Sequence, residues 1–165
     1  MRIDRSLEKR FPVLADWIKT EIPKCQYNAR IFDAFQFHSR LTASAAIMAL
    51  SFNEAAPTID VAIMRSYGMF RNRSPSKVFI RRKLCRQFEA LHPDARATSP
   101  LELIVKATIL HEMIHWSDYL DDQQHRTTAN VIDNVTGATL RNVDVGFQFE
   151  VDAFYGIYTE EYLTH

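Results

Sequence analysis

At 165 residues, with 47% hydrophobic content and 11 phenylalanines, the chain is long and apolar enough to bury a core, which excludes a disordered tail or linker. Its 20 basic and 20 acidic side chains cancel, so no net charge draws the whole chain to nucleic acid or an anionic surface. No stretch approaches the roughly 18 apolar residues of a membrane span, and Met1-Arg2-Ile3-Asp4-Arg5 lacks the apolar segment of a secretion signal.

Taken in order, Leu7, Phe11, Leu14 and Ile18 keep helical spacing, with Pro23 as stop and a start either at the Ser6 cap or, because of Pro12, nearer Phe11. Residues 27–37 read as an aromatic helix with Ile31 and Phe35 on one side, and His38 as a surface or capping histidine. Leu41 to Phe52, rich in alanine, suits a closely packed helix. Ile59 to Met64 alternates as a strand. Gly68, Asn72 and Ser74-Pro75-Ser76 make residues 66–76 a loop. Val78–Ile80 is a second short strand, read as an edge able to pair with an extended substrate. Lys83 to Leu91 is a helix ended by His92-Pro93, and residues 94–98 are linker-like.

The charge is unevenly spread. Residues 1–100 carry 17 basic and 9 acidic side chains, and residues 101–165 carry 3 and 11. Between Asp60 and Glu89 there are eight basic residues and no acidic one. A solvated face or a dock for the acidic half accounts for that run; nucleic-acid binding is the weaker alternative, because no recognition motif accompanies it. Cys25 and Cys85 form no C-x-x-C pair and read as free thiols.

Ser99-Pro100-Leu101-Glu102 is a helix start, with serine as cap, proline at the first position and glutamate closing a capping box. About three turns into that helix stands His111-Glu112-Met113-Ile114-His115. Residues four apart share a helix face, so both imidazoles can reach one Zn²⁺ at about 2.0–2.1 Å. Glu112, turned roughly 100° from His111, falls where a general base for a bound water belongs. After a polar, turn-rich stretch over 121–146, a loop or small hairpin, Asp144 caps a helix from Phe147 to Tyr162.

A catalytic zinc needs a third protein ligand, and four carboxylates compete. Glu150 lies among Phe147, Phe149 and Phe154, where an unpartnered carboxylate is costly. Asp152 is the alternative. Asp121 has the spacing of an extended motif, and Asp118 shares the histidine face, where it can accept an imidazole N–H from outside the ligand set. Tyr155, Tyr158 or His125 would steady the oxyanion.

His111 to Asp118, then Gly146-Phe147-Gln148-Phe149-Glu150 and Tyr155-Gly156, resemble the zinc metallopeptidase domains of type VI secretion spike proteins and related bacterial toxin peptidases. The resemblance covers about residues 78–156 and implies Glu150 as third ligand and Glu112 as base. Asp152-Ala153-Phe154-Tyr155-Gly156 is also similar to the D-x-x-Y-G segment of the aspzincins, which implies Asp152 instead. The expectation is an α+β, mostly helical, zincin-like single domain over 1–165, with a small sheet beside the motif helix, 1–98 as support half and 99–165 as metal-site half. It would bind one catalytic Zn²⁺ through His111, His115 and Glu150, with Glu112 and Tyr155 catalytic, and cleave peptide bonds. The resemblance further implies an antibacterial effector secreted without a signal peptide into the periplasm or cytoplasm of a target cell, with a spike protein and an immunity protein as partners. Competing expectations are a DNA-associated SprT-like protease, a cytoplasmic location, or a zinc-stabilised binding module without turnover.

Overall fold

A computed structural model describes residues 1–54, 57–96, 99–122, 129–132 and 139–157. The chain opens with β1 (Arg2–Ile3), followed by α1 (Arg5–Arg10) and α2 (Pro12–Lys24). The single helix expected over Leu7–Ile18 is thus two. Pro12 has no N–H to donate and holds Phe11 out of the helical region, at φ −138°, so the helix breaks there. The cap of α1 is Asp4, not Ser6: its carboxylate accepts the Ser6 N–H at 2.8 Å. Phe11 offers α2 no cap. Instead Glu89, from a helix 75 residues on, accepts the Val13 and Leu14 N–H groups at 3.1 and 3.0 Å. Pro23 sits inside the last turn of α2 rather than stopping it.

Then come α3 (Ala29–Ser39), capped by Asn28, α4 (Ala43–Leu50), capped by Thr42, and β2 (Thr58–Ala62). β3 (Gly68–Phe70) falls in the stretch expected to be loop, and β4 (Lys77–Arg81) contains the second expected strand. α5 (Arg82–Glu89), the short α6 (Pro93–Arg96) and the long α7 (Pro100–Asp122) follow. β5 (Ala129–Ile132) and β6 (Thr139–Val143) pair as an antiparallel hairpin, and α8 (Val145–Phe154) closes the described chain. α8 stops well short of Tyr162 because Tyr155 takes a left-handed conformation, φ 68°, as its C-cap. The residues from 158 on lie outside the described part.

The main sheet has the order β1-β2-β4-β3, parallel except for the antiparallel β3–β4 pair. The strand at Val78–Ile80 is therefore internal, and the edge beside α7 is β3. The fold is α+β, as expected. α7 packs on β3 and β4 on one side and on α3 and α8 on another. Its residues Ile104 to Ile114 are all buried except Lys106, so this helix is the axle of the core rather than a one-faced surface helix. No helix among the described residues is long and apolar enough to cross a membrane.

Candidate metal centre

At the start of α7 the serine cap forms without the expected capping box: Ser99 Oγ accepts the Leu101 N–H at 3.2 Å, while Glu102 faces Lys106 at 3.6 Å, and the helix runs unbroken through the motif. The four-residue spacing brings His111 Nε2 and His115 Nε2 to 3.2 Å. His111 Nδ1–H donates to Glu150 Oε1 at 2.7 Å, which leaves the Nε2 atom to face His115. Glu150 is 3% exposed, so the carboxylate judged too costly to bury alone has an imidazole as its partner.

A carboxylate near both Nε2 atoms belongs to Asp144. Its Oδ1 lies 3.7 Å from each of them, and the same oxygen accepts the Phe147 N–H at 3.0 Å as the N-cap of α8. The sequence identifies Asp144 only as a cap. The short turn that lets one oxygen both start α8 and look back at α7 is a tertiary feature, without a local signal.

Glycines permit two close approaches. A Cβ on Gly146 would stand 2.5 Å from Nε2 and Cδ2 of His111, so only glycine lets α8 lie this near the ring. A Cβ on Gly68 would stand 2.5 Å from Glu112 Cγ and 2.8 Å from Thr108 Cγ2. β3 thus presses directly on the glutamate. Because Arg81 N–H bonds Tyr67 O, the backbone groups of Gly68 and Phe70 point away from β4, toward the free edge. The Phe70 N–H stands near enough to the Glu112 carboxylate to favour its charged form, and Ser66 Oγ donates to the Gly68 carbonyl at 2.7 Å.

The electrostatics follow from this packing. Burial pushes the Glu112 carboxyl above the usual range; His111, His115 and the Phe70 amide oppose it without cancelling it. Burial lowers the His111 pKa, but the Glu150 hydrogen bond and the charges of Glu112, Glu150 and Asp144 overcome it and raise the ring to about 9. For Asp144 burial pushes up, while the neighbouring His115 and His111 imidazoles and the Phe147 N–H bring the carboxyl down to about 2. Three carboxylates around two imidazoles make a field that favours positive charge, which is the field a divalent cation needs.

His111, His115 and Asp144 form a cluster able to hold a metal ion. Two imidazole nitrogens and one carboxylate oxygen are a fitting donor set, and a tetrahedral site with bonds of about 2.0–2.1 Å has donor–donor edges of about 3.3 Å. The edges here are 3.2, 3.7 and 3.7 Å. The residues fit.

The other expected site residues have the following surroundings. Asp118 is fully buried, one turn beyond Ile114. Asp152 points to the opposite side of α8, where its carboxylate meets His38 Nε2 at 2.7 Å; His38 is itself 4% exposed, a buried partner rather than a surface histidine. Tyr155 is 63% exposed under the Arg30 guanidinium, and its described contacts do not include His111, Glu112 or His115. The side chain of Asp121, and His125 and Tyr158, lie outside the described part of the chain. Both cysteines are free and buried.

Residues 7–156 match the family model of metallopeptidase toxin 3. No curated protein and no solved structure matches the chain.

Proposed function

The chain belongs to the metallopeptidase toxin 3 family, and from that premise we propose that it is a zinc-dependent peptidase whose ion is held by His111, His115 and Asp144. The observation that carries this reading is the convergence of two Nε2 atoms and one carboxylate oxygen beside a buried glutamate. A divalent cation held there supplies Lewis-acid polarisation of the scissile carbonyl and lowers the pKa of a water in its reach.

The protein's own groups divide the remaining work. Glu112 Oε takes the proton of the attacking water and passes it to the leaving amine nitrogen. Its raised pKa suits that exchange, since a carboxylate of ordinary acidity holds a proton too weakly to carry it. The flank of Gly68, in contact with the side chain, limits where the carboxylate can point. Glu150 holds the His111 tautomer with Nε2 turned inward. Burial of His111 and Glu112, at 8% and 7% exposure, limits competing water around the reacting groups.

The toxin name and the sequence resemblance together support an effector that acts on proteins of a target cell, delivered by a secretion spike and neutralised in the producer by an immunity protein. The test is Glu112→Gln. Metal analysis should find zinc retained, while peptide hydrolysis falls by about 10²–10⁴-fold. Unchanged hydrolysis, or a purified protein that takes up no metal, would refute the assignment.

A further inference from the structure

The run of eight basic residues between Asp60 and Glu89 has no part in the metal centre, yet four of its members come together in one place. A cavity of about 280 Å³ is lined by Ile63, Met64, Arg81, Arg82, Lys83 and Arg86. It lies where the parallel strands β2 and β4 end and α5 begins, the end of a parallel sheet at which ligands collect. Cations are misplaced there by the ordinary logic of helices. Arg82 and Lys83 stand in the first turn of α5, against its dipole, and no side chain caps that turn. Arg82 and Arg86 are like charges one turn apart. Neither guanidinium has an ion-pair or hydrogen-bond partner among the described residues, and the Nε of Arg82 is shielded from solvent without one. An arrangement that raises the free energy of the empty protein is relieved by an anion, which would meet both the charges and the free N–H groups of α5.

Position narrows the anion. Gly68, which touches Glu112, pairs with Ile80, and the cavity begins at the next residue, Arg81. Met64 is four residues before Gly68, so the cavity lies within about 14 Å of the strand position that touches the base. An extended peptide covers that distance in a few residues. The exposed Ile63 and half-buried Met64 add an apolar wall, and the space suits one side chain with its neighbours rather than a nucleic-acid strand.

We infer that this cavity is a recognition site for an acidic side chain of the polypeptide substrate, a few residues from the bond that is cut. The inference rests on the peptidase reading above, and the experiment separates the two. A short fluorescent peptide alternating leucine and glutamate is compared with its leucine–glutamine counterpart, for binding by anisotropy and for cleavage, in the full chain and in Arg82→Gln/Arg86→Gln. The acidic peptide should bind about 10- to 100-fold tighter, and in the variant the two peptides should become equivalent. Thermal unfolding of the variant should occur no earlier than in the parent, because the substitutions remove mutual repulsion. Equal binding of both peptides by the parent, or a preference that survives in the variant, overturns the inference. So does a single-stranded oligonucleotide that binds more tightly than the acidic peptide and loses affinity in the variant. Cleavage of both peptides at equal kcat/KM removes the recognition site and leaves the peptidase standing. Selective binding without any cleavage does the reverse.

Discussion

Asp144→Asn and Glu150→Gln, compared side by side, decide which carboxylate belongs to the ion. Both substitutions remove a negative charge and keep an oxygen of nearly the same shape. In Asp144→Asn that oxygen can still accept the Phe147 N–H at the start of α8, and asparagine is as good a cap as aspartate. The fold should therefore lose less than about 1 kcal/mol. What disappears is the anionic oxygen 3.7 Å from both Nε2 atoms. In Glu150→Gln the amide oxygen can still receive the His111 Nδ1–H, now from a neutral acceptor. Weakening such a supporting bond costs about 10- to 100-fold in metal affinity. Loss of a ligand should exceed that range. Zinc affinity measured by competition with a chromogenic chelator at neutral pH gives the order directly, with circular dichroism to check the fold. The expected ranking is parent, then Glu150→Gln, then Asp144→Asn. If Glu150→Gln loses more zinc affinity than Asp144→Asn, Glu150 is the ligand and the reasoning from the Asp144 distances is refuted.

Gly68→Ala should act on the base without touching the ion: the new Cβ meets Glu112 Cγ at 2.5 Å, so kcat should fall while zinc content stays at the parent level. Equal kcat in the variant would show that the strand does not hold the glutamate. Glu89→Ala should destabilise the fold by about 1–2 kcal/mol in urea unfolding, because it strips the side-chain acceptor that, among the described residues, meets the start of α2; an unchanged midpoint would show that water replaces it. Burial pushes the Cys25 thiol up to about 11 and Cys85 to about 12, and so the native protein should resist iodoacetamide near pH 8. Labelling should rise in step with unfolding, and rapid modification of the folded protein would contradict the packing.

The parts of the site that could be read from sequence are those set within one helix. The Ser99-Pro100 start, the apolar run and the four-residue histidine spacing all act over a turn or two of α7, and the structure keeps each. Glu150 was legible as a carboxylate that burial among aromatics would force into partnership, but not whether the partner is an ion or an imidazole. β3 was invisible: three residues are too few for an alternating pattern, and what makes Gly68–Phe70 a strand is β4 beside it. The Pro12 break was signalled by the proline itself, and the extent of α8 by Tyr155-Gly156, although helical spacing suggested a longer run. Asp152 illustrates the opposite case, a motif-like segment whose aspartate is taken by His38 on the neighbouring helix.

β3 is the open rim of the main sheet, the place where a stray extended chain would normally add itself. Part of it is already occupied, since Ser66 Oγ donates to the Gly68 carbonyl and the Glu112 side chain stands against Gly68. The side chain proposed as the base therefore also covers part of this border. Truncating Glu112 to alanine would uncover it, whereas glutamine keeps the same bulk against Gly68. An inactive form made for storage or crystallisation is better built with glutamine for that reason.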